Sequence, residues 1–177
     1  LSRQTFLLDA RKYMRVGGTS MLLATRFRGF KSTGDQPRLY AFGGNMEMRG
    51  YDYRSFVGSE GFFANAELRI PLIDVMATPI GLLGPVRGTV FGNIGGAKYP
   101  GQPYDFWTSG PGVSYVNDPL FGQAVDGRRL VDGRASYGIG IQAFLLGMPM
   151  HFDWSWLTDL QVRSLSSRFQ FWIGYDF

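Results

Sequence analysis

The sequence predicts an all-β fold, a transmembrane antiparallel β-barrel, and three observations carry that expectation. Apolar residues recur with a period of two in the segments that hold most of them, which is the side-chain alternation of a strand rather than of a helix. Glycines number 25 and prolines 9, and they cut the chain into short segments without any collagen-like repeat. The connections alternate short and long, as in outer-membrane barrels with tight turns on one rim and extended loops on the other.

Each element follows in order. QTFLLDARKYMRV and TSMLLATRFRGF flank Gly17-Gly18 and read as a hairpin of paired strands. In FFANAELRIPL, Phe62, Ala64, Ala66, Leu68, Ile70 and Leu72 share one face, and Asn65, Glu67 and Arg69 share the other. Three long polar groups cannot face lipid, so in a membrane barrel they line a wet lumen. PVRGTVFGNIGG is interrupted by glycine, yet its β-branched residues favour a strand. Tyr137, Ile139, Ile141 and Ala143 oppose Ser136, Gly138, Gly140 and Gln142, so the small glycines leave room on the inner face. In HFDWSW, Phe152, Trp154 and Trp156 form a lipid-side stripe against His151, Asp153 and Ser155. Phe169, Phe171, Ile173, Tyr175 and Phe177 make the last strand apolar on one face, and its length of about ten residues suits a tilted membrane strand.

The short turns are Gly17-Gly18, the neighbourhood of Pro79 and Pro85, and Gly147 to Pro149; the long loops are 31–60, 97–132 and 158–167. This makes seven strands, whereas lipid admits only closed barrels, of even strand number in single-chain bacterial proteins. Upstream strands, a second chain, or an eighth strand within 97–132 would complete the wall.

Composition narrows the function. No run approaches the roughly 18 apolar residues of a spanning helix. The absence of cysteine excludes disulfides and thiolate metal sites. A net charge of +4 is carried by scattered basic residues, with Arg11-Lys12 and Arg128-Arg129 as adjacent pairs, a lumen-lining or solvated distribution rather than a nucleic-acid footprint. The chain opens at Leu1 with no signal-peptide pattern, so a mature fragment is expected. His151, Asp153 and Ser155 hold the ingredients of a hydrolase triad, but on one strand face they stand roughly 7 Å apart, beyond hydrogen-bond reach. GGNMEMRG lacks phosphate-loop spacing, and Asp105, Asp118, Asp126 and Asp132 fit no EF-hand. No catalytic residue, metal or cofactor is expected.

Four motifs in order resemble the BamA/TamA superfamily of outer-membrane insertases and two-partner-secretion transporters, of bacterial surface antigen type. Gly43-Gly44, the spacer NMEM and Arg49-Gly50-Tyr51 resemble the tip of the family's long sixth extracellular loop. ANAELRIP and VRGTVFGNIG are similar to the next two barrel strands, and FWIGYDF to the closing strand. The resemblance covers nearly the whole chain, and it implies that residues 1–177 are the C-terminal part of a barrel of about sixteen strands.

The resemblance further implies that the loop folds back into the barrel and that Arg49 docks against Glu67, Phe91 and Asn93. Strand parity places Glu67 on a polar face, and Phe91 and Asn93 together on one face of their own strand. A confined guanidinium gains from a carboxylate and from an aromatic ring. The family usually has Asp where this chain has Asn93, which leaves Glu67 to carry the charge pairing. Phe171, Ile173, Gly174, Tyr175 and Phe177 would form a C-terminal assembly signal read by strand addition. The implied function is non-enzymatic: insertion or export of β-rich proteins through a lateral seam, in the bacterial outer membrane with the C-terminus periplasmic. Outer-membrane lipid, the assembly machinery, and client proteins or other envelope subunits would be its partners, with no nucleic acid. The alternative is a structural or anchoring barrel of a larger envelope complex without transport activity.

Overall fold

The computed structural model describes residues 2–79, 81–145 and 147–175. Fourteen strands appear in chain order: β1 (Arg3–Arg15), β2 (Leu22–Gly34), β3 (Tyr40–Phe42), β4 (Phe56–Gly58), β5 (Glu60–Ile73), β6 (Met76–Thr78), β7 (Gly81–Lys98), β8 (Trp107–Thr108), β9 (Pro111–Ser114), β10 (Gln123–Asp126), β11 (Arg129–Leu130), β12 (Arg134–Leu145), β13 (Met148–Thr158) and β14 (Arg168–Ile173). Seven of them form one antiparallel wall in the order β1-β2-β5-β7-β12-β13-β14, each beside its predecessor. Such an up-and-down meander is what tight turns on one rim allow. After a register irregularity between Pro71 and Ile73, β6 continues against β7.

The wall is inside-out by the standards of a soluble sheet. Glu67, His151 and Asp153 are at most 2% exposed, whereas Ile139, Phe169 and Ile173 are at least half exposed. A soluble protein buries the second set and solvates the first. Only lipid on the outside and a polar interior make this distribution favourable. The sheet is not closed, and among the described residues β1 and β14 each pair on one side only.

The register carries the polar face from strand to strand. Asn65 stands opposite Arg26 and Asn93, Glu67 opposite Phe91, Phe91 opposite Gly138, and Gly140 opposite Asp153. The concave side holds an aromatic core of Phe30, Phe42, Met48 and Phe63, roofed by the β3–β4 hairpin. Phe42 stacks on Phe56 at 5.1 Å and tilts against Phe63 at 5.3 Å, within the favourable range for ring pairs.

Three expectations need correction. The long loop supplies no eighth wall strand: residues 99–133 fold into two small ladders, β8 with β11 and β9 with β10, separate from the sheet. Their strands of two to four residues are too short to cross a bilayer. The turn near Pro79 and Pro85 ends sooner than predicted, because β7 begins at Gly81 and runs through Pro85. Among the described residues the last strand pairs over six positions, with Ser155 opposite Arg168 at one end and Met150 opposite Ile173 at the other, where about ten were expected. Phe177 lies outside the described residues.

Candidate functional site: the loop tip in the barrel lumen

Residues 43–51 leave the β3 strand, turn on backbone bonds from the Glu47 and Met48 amides to the Gly44 carbonyl, and descend onto the polar face of the wall. Met48 anchors the turn in the aromatic core, fully buried. Glu47 fixes its flank: its carboxylate accepts from the Gly43 amide at 2.9 Å and pairs with Arg28 at 3.2 Å, while its carbonyl accepts from Asn65 Nδ2 at 2.7 Å. Apolar burial therefore seats the turn, and directional polar contacts set its angle.

The Arg49 side chain is 3% exposed. Its Nη2 donates to Glu67 Oε2, its Nε donates to the Asn45 carbonyl at 3.1 Å, and its guanidinium lies 4.5 Å from the Phe91 ring centroid. Glu67 also accepts from Arg69 Nε at 2.7 Å, so one carboxylate holds two guanidiniums. A buried charge is tolerable only when paired and hydrogen-bonded, and both conditions hold here.

The expectation that Glu67 alone carries the charge pairing is corrected. Asp153 Oδ2 lies 3.7 Å from Arg49 Nε, and Trp172, whose indole donates to Asp153 at 2.8 Å, stands 6.0 Å from the guanidinium. The second carboxylate comes from β13, across the curved wall, in place of the residue-93 position. Asn93 instead donates to Ser136 Oγ at 3.1 Å, and Ser136 Oγ in turn donates to the Arg49 carbonyl. Asn93 thus reaches the loop backbone through a hydroxyl.

Gly50 and Tyr51 bind the loop to the far strands. The Gly50 amide donates to Gln170 Oε1 at 2.7 Å, and its carbonyl accepts from Arg168 Nη1 at 3.0 Å, both on β14. The Tyr51 hydroxyl donates to the Ala135 carbonyl at 3.0 Å. Gly50 has φ +88°, and a Cβ there would stand 2.8 Å from Ser155 Oγ and 3.1 Å from Leu157 Cδ2. Both the backbone angle and the close approach to β13 demand glycine. Gly50→Ala is expected to loosen the loop by about 2 kcal/mol, seen as faster limited proteolysis within 43–51 with the barrel still folded.

The His151, Asp153 and Ser155 row does face inward, and each side chain has its own partner. His151 Nε2 meets the Gly174 carbonyl at 2.9 Å and its ring stacks on Trp172 at 3.5 Å, while Ser155 Oγ donates to the Arg168 carbonyl at 3.3 Å. Phe171, Ile173 and Tyr175 point outward and are about half exposed or more, and Gly174 follows the last paired residue.

Sequence reasoning missed Asp153, Trp172, Gln170 and Arg168 as neighbours of the loop. Their inward parity was readable, but the curvature that brings β13 and β14 around to the loop was not.

The geometry defines a class: a membrane β-barrel wall with a polar concave face that grips a long inserted loop through a buried arginine. The chain belongs to the Omp85 superfamily, whose domain matches residues 9–177. That superfamily comprises outer-membrane insertases and transporters. No curated protein and no solved structure matches the chain.

Proposed function

We propose that the chain is the C-terminal part of a barrel of about sixteen strands that assists insertion or export of β-rich proteins through a lateral seam beside β14. The long loops face outward, and the C-terminus is periplasmic. The observation that supports this reading is the state of β14: only six residues registered against β13, with the inner face tied to the loop tip through Gln170 and Arg168.

The energetics favour a seam at that strand. Neighbouring strands of the wall share ten to thirteen registered residue pairs, so β14 has about half their cross-strand contact. A strand so lightly held is the one whose edge can open and offer its amides and carbonyls as the template on which an incoming strand adds. The Arg49 loop acts as a latch: seated against Glu67 and Asp153, it holds the β14 side chains in place; released, it lets the strand tilt and the seam widen. Phe171, Ile173, Gly174, Tyr175 and Phe177 form the assembly signal by which the chain is itself inserted.

A photo-crosslinking residue placed at Phe171 or Ile173 tests the seam, with Ile139, outward-facing on the interior strand β12, as control. Cross-links to a nascent β-rich client from the β14 positions and not from Ile139 are expected. Equal labelling at all three positions, or none, would discard the lateral seam.

A further inference from the structure

The outer face of the wall holds a groove of about 690 Å³ beneath the long-loop rim. It follows from the register. Leu8, Gly29, Phe62 and Gly96 form one outward row across β1, β2, β5 and β7, and Phe6, Lys31, Glu60 and Lys98 form the next row towards the rim. Phe62 thus stands between two glycines, with the Phe27 ring over Gly29 and the Tyr104 hydroxyl over Gly96, and the trough runs along the flanks of these rings. Strands lie about 4.8 Å apart, so each gap has roughly the width of a hydrocarbon chain.

The long loop closes the groove from above. Phe106 packs on Phe62 at 5.1 Å, Phe27 stacks on Phe62 at 6.0 Å, and Tyr104 lies over Gly96, where a Cβ would collide with its hydroxyl. That hydroxyl is buried and finds no hydrogen-bond partner among the described residues. Burial, with the Asp132 charge, pushes its pKa up to about 12, so it stays a neutral donor. A donor without an acceptor at the wall of an apolar groove is costly unless something with a carbonyl or ester oxygen occupies the groove.

At the rim end, Lys31 Nζ and Lys98 Nζ each lie 3.4 Å from Glu60 Oε2, and all three side chains stay between 38% and 55% exposed. Two cations share one carboxylate, leaving the row at net +1. A lone snorkelling lysine would explain either cation separately. It would not explain both cations converging at the end of an aromatic-walled trough that carries an orphaned hydroxyl.

We propose that this groove binds an anionic acylated lipid, with one chain in the trough along Leu8, Phe27 and Phe62, its ester oxygen near Tyr104, and its phosphate between Lys31 and Lys98. The charge complementarity commits the site to a lipid of net negative charge rather than a zwitterionic one or a protein strand. The polybasic attraction of lysines for anionic headgroups is the relevant force, strengthened here by apolar walls that fix the depth of the phosphate.

The test uses the purified protein in detergent, titrated with phosphatidylglycerol and with phosphatidylcholine, and reads retained lipid by native mass spectrometry. Wild type should retain phosphatidylglycerol roughly ten-fold better than phosphatidylcholine. Lys31→Gln with Lys98→Gln should abolish that preference, Glu60→Gln should raise it, and Gly29→Leu, which fills the trough, should reduce retention of both lipids. Heat-modifiable gel migration checks that each variant is folded. Equal retention of the two lipids by wild type, or a preference unchanged in the folded double lysine variant, would overturn the site.

Discussion

Arg49→Ala is expected to destabilise the inserted loop by about 3 kcal/mol, at the low end of what breaking a buried pair costs. The reason for the low end is in the partners left behind. Glu67 keeps the Arg69 guanidinium at 2.7 Å, and Asp153 keeps the Trp172 indole N–H at 2.8 Å. Neither carboxylate is stranded without a donor, yet both lose the cation that stands between them. Arg49→Lys should recover only part of the loss, because an ammonium cannot lie flat on the Phe91 ring while also serving Glu67 and Asn45.

A double-mutant cycle with Glu67→Ala separates the latch from simple packing. Groups in one ion-pair network couple by about 0.5–3 kcal/mol, so the double variant should lose clearly less than the sum of the singles. Denaturant titration in detergent micelles measures the stabilities, and limited proteolysis within 43–51 reports the loop itself. Additive effects would mean that Arg49 and Glu67 contribute separately and that no latch exists. Glu67→Ala alone should cost at least as much as Arg49→Ala, since it takes the close carboxylate from both Arg49 and Arg69 and leaves Arg49 only the longer contact to Asp153.

How far the sequence exposes this site depends on the kind of information each residue carries. Facing was largely legible: the period-2 pattern places Glu67 and Asp153 on polar inner faces, Phe91 and Asn93 together on one face, and Phe171 and Ile173 on an apolar outer face, and burial and register agree. Local parity needs no knowledge of the rest of the chain. The Arg49–Glu67 contact was reached only through the resemblance, because no local rule links a loop to a wall 18 residues on. Asp153 was readable as a lumen residue but not as a neighbour of Arg49, since that contact depends on the curvature summed over three strands. The β8–β11 and β9–β10 ladders were likewise invisible as such: their pairs run between segments too short to show a period.

Gly138→Ala should be a strongly damaging small substitution in the wall. A Cβ at that position would run into the Trp154 carbonyl oxygen on β13 and stand 2.6 Å from Phe91 Cζ. The first contact is with backbone, so the strands must part or shift. The second is with the ring on which Arg49 rests. Overpacking of this kind costs about 3 kcal/mol when the obstacle cannot rotate away. Gly92→Ala is the matched control: Gly92 neighbours Phe91 on β7, faces outward, and has no atom within 4 Å of its ideal Cβ. It should change stability by less than about 0.5 kcal/mol. Because Gly138→Ala displaces the ring beneath Arg49, combining it with Arg49→Ala should add less than the Arg49→Ala cost in the parent. Full additivity in unfolding titrations would show that the glycine serves strand packing alone, and that the space it leaves for Phe91 has no bearing on how the loop is held.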